Sequence, residues 1–146
     1  MSEYVLNFDG SCGPKNPGPN AGWGFTVKRD GKLFHTSSGE LSGAIFTNNY
    51  SEFYALYEGL KLLKQHVVPS DKIFIRGDSQ LVIKVMRGTW KVKGGLYYPA
   101  YVLAQTELTC IRAAKNYVSL DWVPREMNTE ADALSTAYSN TSGEKR

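Results

Sequence analysis

Four acidic residues could form one metal-binding site: Asp9, Glu52, Asp78 and Asp132. Asp9 follows the apolar segment "YVLNF" and Asp78 follows "KIFIRG", so each carboxylate is predicted to end a β-strand. Glu52 and Asp132 are predicted to lie in the first turns of two helices. Carboxylates also favour turns and helix N-termini for stability alone, so no single one of the four indicates a site. Together, with no His or Cys nearby, they form an oxygen-only ligand set that suits Mg²⁺ or Mn²⁺ rather than zinc.

The elements that must position these acids follow from periodicity. Residues 4–8 predict a first strand, and residues 22–41 alternate around Asp30-Gly31, which predicts a hairpin with a tight primed turn. Helical spacing from 47 to about 66 predicts a long helix, and the apolar run at 72–79 predicts a central strand. A short helix at 79–88, a helix at 97–115, a strand at 118–123 and a final helix after Asn128 complete the prediction.

This order of elements predicts an α/β fold with a five-stranded mixed sheet flanked by helices. Three antiparallel strands come first and parallel strands follow. If the first and fourth strands are parallel neighbours, their carboxyl ends emerge together, and ligands of open α/β sheets bind at such ends. Asp9 and Asp78 are therefore expected to face one cleft.

Length and composition are those of one small domain. The 146 residues are 42% hydrophobic with a formal charge of +3, which predicts a single catalytic domain at 1–139 and a flexible polar tail at 140–146. Cys12 and Cys110 fit neither a disulfide framework nor paired metal ligands. No apolar run or leader pattern indicates a membrane partner or export, so we expect a cytoplasmic monomer.

Four stretches carry a family resemblance, in order and at compatible spacing: "DGSCGPKNPGPNAGWG", "TNNYSEFYAL", "GDSQLVIK" and "VPREMNTEADALS". In them the chain resembles ribonuclease H of type 1, and particularly the archaeal and bacterial branch that lacks a long basic insertion. The resemblance implies a ribonuclease H-like fold and hydrolysis of the RNA strand of RNA/DNA hybrids, leaving 5′-phosphate and 3′-hydroxyl ends. It also implies two Mg²⁺ ions, replaceable by Mn²⁺, and it maps the four catalytic carboxylates of the family onto Asp9, Glu52, Asp78 and Asp132.

The same resemblance implies a set of substrate contacts. Asn49 and Gln80 match positions that touch sugar hydroxyls and base edges, and Asn16 and Thr47 match a pocket for a DNA-strand phosphate. Helix capping is the alternative for Thr47 and Asn49, and turn formation is the alternative for Asn16.

The segment at 84–93, "KVMRGTWKVK", contains four basic residues and no acid. Taken alone, it is typical of a solvated helix end. Beside a nuclease site it instead favours a ridge that follows the nucleic-acid backbone, with Lys91 and Lys93 on phosphates. Trp90 is placed either to stack on a sugar or to pack against the protein.

One departure from the best-known bacterial members concerns the loop before the last helix, "PREMNTEAD", which lacks their histidine. Arg125 or Glu126 is the candidate to substitute for it. Two other functions stay open at this point. One is another two-metal nuclease of the same fold, such as an integrase or a junction resolvase, and the other is a non-catalytic nucleic-acid-binding module.

Overall fold

The computed structural model describes the backbone of residues 1–144 and the side chains of residues 1–137. The elements in chain order are β1 (Glu3–Cys12), β2 (Ala21–Arg29), β3 (Lys32–Leu41), α1 (Asn48–Lys64), β4 (Lys72–Gly77), α2 (Gln80–Arg87), α3 (Tyr98–Ala113), β5 (Tyr117–Trp122) and α4 (Thr129–Glu144). A 3₁₀ turn, Arg125–Met127, precedes α4. The predicted tail at 140–146 lies outside the residues whose side chains are described, and it stays a prediction.

The five strands form one sheet in the order β3-β2-β1-β4-β5. β1 pairs antiparallel with β2 and parallel with β4, and β5 continues the parallel half. The predicted mixed sheet is therefore confirmed. The predicted hairpin is also present, because Asp30 and Gly31 have φ angles of 50° and 83°, the positive values that a primed turn requires.

The two faces of β1 carry different helices because successive side chains of a strand point to opposite faces. Tyr4, Leu6 and Phe8 are buried on the face that α1 covers, and the core of the protein lies there. A Cβ added to Gly59 of α1 would lie 2.6 Å from a Leu6 methyl carbon, so α1 lies very close to the sheet. On the opposite face, Ser11 of β1 contacts α4.

Three sequence-based expectations need correction. β1 does not end at Asp9 but continues to Cys12, because residues 9–12 still pair with β2. Glu52 lies beyond the first turn of α1, because Thr47 caps the helix and Asn48 begins it. Trp122 lies in the predicted strand at 118–123 and fits a core position there, yet it is 45% exposed at the end of β5.

Two further observations concern the chain as a whole. Both cysteines, Cys12 and Cys110, are free. Within residues 1–144, no helix is both long and apolar enough to cross a membrane.

Candidate active site

Three carboxylates meet at the carboxyl edge of the parallel strands. Asp9, Glu52 and Asp78 each offer an oxygen, and these oxygens all lie within 4.8 Å of one another. Asp132 lines the same cavity, which has a volume of about 430 Å³. The fold thus brings together all four acids that the sequence singles out.

Asp9 and Asp78 meet because of the sheet register. The parallel ladder between β1 and β4 ends at the pair Phe8–Gly77, so Asp9 and Asp78 are the next residues on two neighbouring strands. Asp9 remains paired with Gly24 of β2, which keeps its backbone fixed. The Asp78 carbonyl oxygen accepts a 3.0 Å hydrogen bond from the indole N–H of Trp122.

Glu52 reaches the cluster because α1 approaches β1 closely. The backbone N–H of Gly10 donates a 2.7 Å hydrogen bond to Glu52 Oε1. A Cβ on residue 10 would lie 2.2 Å from the carbonyl carbon of Ser51, so a side chain at this position would push the helix away. The glycine after Asp9 is therefore needed for the position of Glu52.

Asp132 is positioned by the start of α4. Its backbone N–H donates to the carbonyl oxygen of Asn128 at 3.0 Å. The buried side chain of Asn128 donates to the Phe8 carbonyl oxygen at 2.9 Å and accepts from Asn7 at 3.2 Å, which joins the loop to β1. Arg125 Nη2 lies 3.3 Å from Asp132 Oδ1, so an arginine faces the acidic cluster from the loop.

Burial and mutual repulsion perturb the pKa values of the two most buried acids of the cluster, Asp9 and Glu52. Burial raises the pKa of Asp9 to about 7, and the neighbouring Asp78 charge contributes to the increase. Burial followed by the charge of Asp9 holds the pKa of Glu52 well above its ordinary value. Cys12 also lines the cavity, but the ligand atoms that come together are all carboxylate oxygens. Such a cluster fits a divalent metal site, because a cation removes the repulsion.

The comparisons with known proteins agree with this geometry. The sequence model of the RNase H family matches residues 1–139. This chain belongs to the RNase H family. Among solved structures it resembles the N-terminal RNase H domain of Rv2228c from Mycobacterium tuberculosis, with a TM-score of 0.81, 30% identity and 99% of each chain covered.

Two other RNase H proteins are similar. Ribonuclease HI of Halobacterium salinarum is 36% identical over 128 residues, and RNase H1 from that archaeon superimposes with a TM-score of 0.79, covering 94% of this chain and 98% of the other. LC11-RNase H1, solved with an RNA/DNA hybrid, is 26% identical with a TM-score of 0.75 and covers 92% and 94% of the two chains. This chain spans 34% of the length of the whole Rv2228c protein and 59% of the haloarchaeal one.

The phosphate-pocket residues predicted by the RNase H resemblance lie together at the start of α1. Thr47 Oγ1 accepts from the Tyr50 N–H at 3.0 Å, and Asn16 Oδ1 accepts from the Asn48 N–H at 3.1 Å. Both side chains therefore cap the helix in this structure. Their role toward a phosphate stays a prediction.

The predicted sugar contacts lie on two helices that reach the RNase H cluster. Gln80 is exposed as the first residue of α2, two residues after Asp78. Asn49 is half-buried in α1, three residues before Glu52. Asn48, which the sequence reasoning did not single out, lines the acidic cavity itself.

The basic segment comprises the second half of α2 and the loop after it, and this loop lines a separate cavity of about 530 Å³ together with Leu81 of α2. Trp90 is 43% exposed, and Lys84 Nζ lies 4.6 Å from its ring centroid. Lys91 and Lys93 are exposed and line the same cavity. Trp90 thus packs against a lysine while part of its ring faces solvent.

Sequence reasoning missed one buried contact of the site. Ser135, fully buried in α4, has its Oγ 3.0 Å from Asp9 Oδ2. The serine belongs to the matching stretch "VPREMNTEADALS", but a serine three residues after an acid gives no signal of a partner 126 positions away.

Proposed function

We propose that this chain is an endonuclease that hydrolyses the RNA strand of RNA/DNA hybrids with two Mg²⁺ ions, leaving 5′-phosphate and 3′-hydroxyl ends. The observation that carries the proposal is the cluster of Asp9, Glu52 and Asp78, with oxygens within 4.8 Å of one another and Asp132 in the same cavity. Membership in the RNase H family supports the choice of reaction, and the hybrid bound to LC11-RNase H1 supports the choice of substrate.

The four carboxylates would hold the cations between them. By the family resemblance, Asp9 would be a ligand shared by the two cations, Asp78 would serve on the side of the attacking water, and Asp132 would complete the set. When bound, two such ions lower the pKa of the attacking water and stabilise the leaving 3′-oxygen. Mn²⁺, which accepts the same oxygen ligands, would substitute.

Discrimination of RNA from DNA would depend on 2′-hydroxyl contacts. Asn49 and Gln80 flank the acidic cluster from α1 and α2, and Gln80 is exposed where a nucleic acid could reach it. Glu52, which lines the acidic cavity, would touch a ribose as well as a cation. Loss of the hydroxyls around one phosphodiester would therefore block its cleavage.

The rest of the hybrid would contact two polar surfaces. Asn16 and Thr47 lie at the N-terminus of α1, where backbone N–H groups and the helix dipole favour a phosphate. Lys91, Lys93 and Trp90 would follow the backbone beyond α2 through charge and stacking. Phosphate contacts position a duplex without reading its sequence.

Arg125 would take the place of the loop histidine found in other members of the family. Its guanidinium lies 3.3 Å from Asp132 and lines the acidic cavity, while Glu126 does not line it. An arginine keeps its charge at all relevant pH values, so it would hold a phosphate oxygen rather than carry a proton. We therefore favour Arg125 over Glu126.

A duplex panel tests the proposal. The protein is incubated with end-labelled RNA/DNA, RNA/RNA and DNA/DNA duplexes of one sequence and with a four-way DNA junction, each with Mg²⁺, Mn²⁺ or EDTA. We expect cleavage of the RNA strand of the hybrid with either metal and none with EDTA. Cleavage of the all-DNA duplex or of a four-way junction with hybrids intact would instead indicate an integrase or resolvase. Hybrid binding without metal-dependent cleavage would indicate a binding module.

A further inference from the structure

Ser135 lies between two of the acid-bearing segments. Its side chain is completely buried, with Oγ 3.0 Å from Asp9 Oδ2 and 3.0 Å from the backbone carbonyl oxygen of Asp132. Its own carbonyl oxygen accepts a 2.8 Å hydrogen bond from Ser11 Oγ. One residue of α4 therefore contacts β1 at positions 9 and 11 and contacts the acid one turn earlier in its helix.

We propose that Ser135 is a positioning residue that fixes the orientation of the Asp9 carboxylate relative to Glu52 and Asp78. This role rests on the proposed metal-dependent function. A carboxylate with one oxygen held cannot rotate freely about its terminal bond, so the direction of its second oxygen is fixed too. Partners of metal-binding carboxylates act in this way on metal affinity.

The single hydroxyl hydrogen of Ser135 has two acceptors within reach, and it can serve only one at a time. The Asp132 carbonyl oxygen has another donor, because Thr136 Oγ1 lies 2.9 Å from it. Asp9 Oδ2 carries charge when it binds a cation, and hydrogen bonds to ionised acceptors are the stronger ones. The hydrogen of Ser135 therefore goes to Asp9 in the metal-binding state.

Two glycines of β2 permit this contact. Gly24 is the pairing partner of Asp9, and Gly22 is the pairing partner of Ser11. A Cβ at Gly22 would lie 2.2 Å from the Ser135 carbonyl oxygen, and one at Gly24 would lie 2.8 Å from the Ser135 nitrogen. The strand thus lacks side chains where α4 must come within hydrogen-bonding distance of Asp9.

The test compares Ser135→Ala, Ser135→Cys and the matched control Thr136→Ala with wild type. Thr136 makes the same kind of bond to the Asp132 carbonyl oxygen but has no contact with Asp9 among the described side chains. Mn²⁺ affinity is measured by calorimetry on the protein alone. Steady-state cleavage of a hybrid then gives kcat as a function of Mg²⁺ and KM for the nucleic acid.

We expect Ser135→Ala to weaken Mn²⁺ binding by about tenfold and to raise the Mg²⁺ concentration needed for half-maximal kcat by a similar factor. KM for the hybrid should change less than about twofold, since the bound duplex does not touch a buried serine. Ser135→Cys, which keeps a weak donor of similar size, should recover part of the loss. Thr136→Ala should behave as wild type.

Mn²⁺ affinity of Ser135→Ala within about twofold of wild type would overturn the proposal. An equal loss in Thr136→Ala would also overturn it, because the helix rather than the bond to Asp9 would then be responsible. If neither wild type nor any variant cuts the hybrid while Ser135→Ala still weakens Mn²⁺ binding, the proposed function fails and the role of Ser135 stands.

Discussion

Asp9 lowers the stability of the metal-free protein at neutral pH. Its pKa is about 7 in the folded chain against 3.8 for the unperturbed group, with burial as the main cause. Between these values the unfolded chain releases the proton more readily than the folded chain does. The free energy of unfolding therefore falls as pH rises from about 4 to about 7. A bound cation would reverse this effect by favouring the ionised form.

The first prediction is that Asp9→Asn abolishes cleavage but raises the melting temperature of the metal-free protein. In EDTA, the difference between the mutant and wild type should be small at pH 5 and larger at pH 8, because only wild type has to ionise the buried carboxyl at position 9. Thermal unfolding at both pH values checks this. Glu40→Gln, at an exposed acid of β3, serves as the control and should show no such pH dependence. A pH-independent difference for Asp9→Asn would contradict a raised pKa of the buried Asp9 carboxyl.

At this scale, sequence predicted the residues that belong to motifs but not their partners. The four acids follow from strand ends, helix starts and the RNase H resemblance. The hydrogen bonds of Ser135 to Asp9 and of Asn128 to Phe8 depend on how the start of α4 packs against β1. No local sequence pattern encodes this packing. Trp122 fits strand alternation, yet its face of β5 is partly open to solvent.

Glycines determine how closely the helices approach the sheet at the site. Gly10 allows α1 to bring Glu52 to Asp9, and Gly22 and Gly24 allow α4 to bring Ser135 to the same carboxylate. Both helices thus reach β1 from opposite faces within three residues of Asp9. The geometry of the cluster is consequently sensitive to small changes on β1 and β2.

The second prediction concerns Gly24→Ala in β2. The added Cβ would lie 2.5 Å from Leu134 Cβ and 2.8 Å from the Ser135 nitrogen, so α4 must move. We expect a loss of about 1–3 kcal/mol in the free energy of unfolding, as for other overpacked sites. Hybrid cleavage should weaken as well, because α4 carries Asp132. Denaturant unfolding and initial rates give the two measurements.

The control for this prediction is Gly13→Ala, where an added Cβ has no atom within 4 Å. Its stability should remain within about 0.5 kcal/mol of wild type. If Gly24→Ala is as stable and active as this control, the close approach of α4 to β2 is not required for the position of the site residues.

Element types and sheet order follow from sequence more readily than element ends do. The Asp30-Gly31 turn and the change from a period of two to helical spacing at Thr47 are local patterns, and they are sufficient to identify the hairpin and α1. β1 extends to Cys12 because β2 continues to pair with it through a glycine-rich segment that resembles a loop in sequence. The 3₁₀ turn at Arg125–Met127 has no periodicity to reveal it.

Exposed lysines lie at separate places on the molecule, and their positions matter for binding a duplex. The net charge is only +3, yet Lys91 and Lys93 are both exposed and line one cavity just after α2. Lys32 and Lys72 lie at the other end of the sheet. Lys72 pairs directly with the first residue of β1, and Lys32 pairs with the residue of β2 whose partner is the second residue of β1. Position rather than total charge should therefore decide which lysines bind a phosphate backbone.

The third prediction concerns the slope of log affinity for the hybrid against log salt concentration. Lys91→Ala combined with Lys93→Ala should make this slope less negative by up to about two units, since each phosphate contact contributes about −0.9 to it. KM should rise with kcat nearly unchanged, and the effect should be alike for hybrids of different sequence. Binding titrations at several salt concentrations provide the slope.

The matched control removes two lysines at the far end of the sheet, Lys32→Ala with Lys72→Ala, and should leave the slope as in wild type. If the Lys91 and Lys93 variant keeps the wild-type slope and KM while Trp90→Ala alone impairs binding, stacking and not charge holds the duplex at this segment.

The most direct test of the central claim is the initial rate of RNA-strand cleavage in one RNA/DNA hybrid with Mg²⁺, compared between wild type and Asp78→Asn. Asp78 is half-buried directly after β4, so its replacement would remove one of the proposed metal ligands without opening a hole in the core. We predict Mg²⁺-dependent cutting of the RNA strand by wild type and a loss of about a thousandfold or more in the mutant, equivalent to about 4 kcal/mol of transition-state stabilisation. Equal rates for the two folded proteins, or a wild type that leaves the hybrid intact, would contradict it.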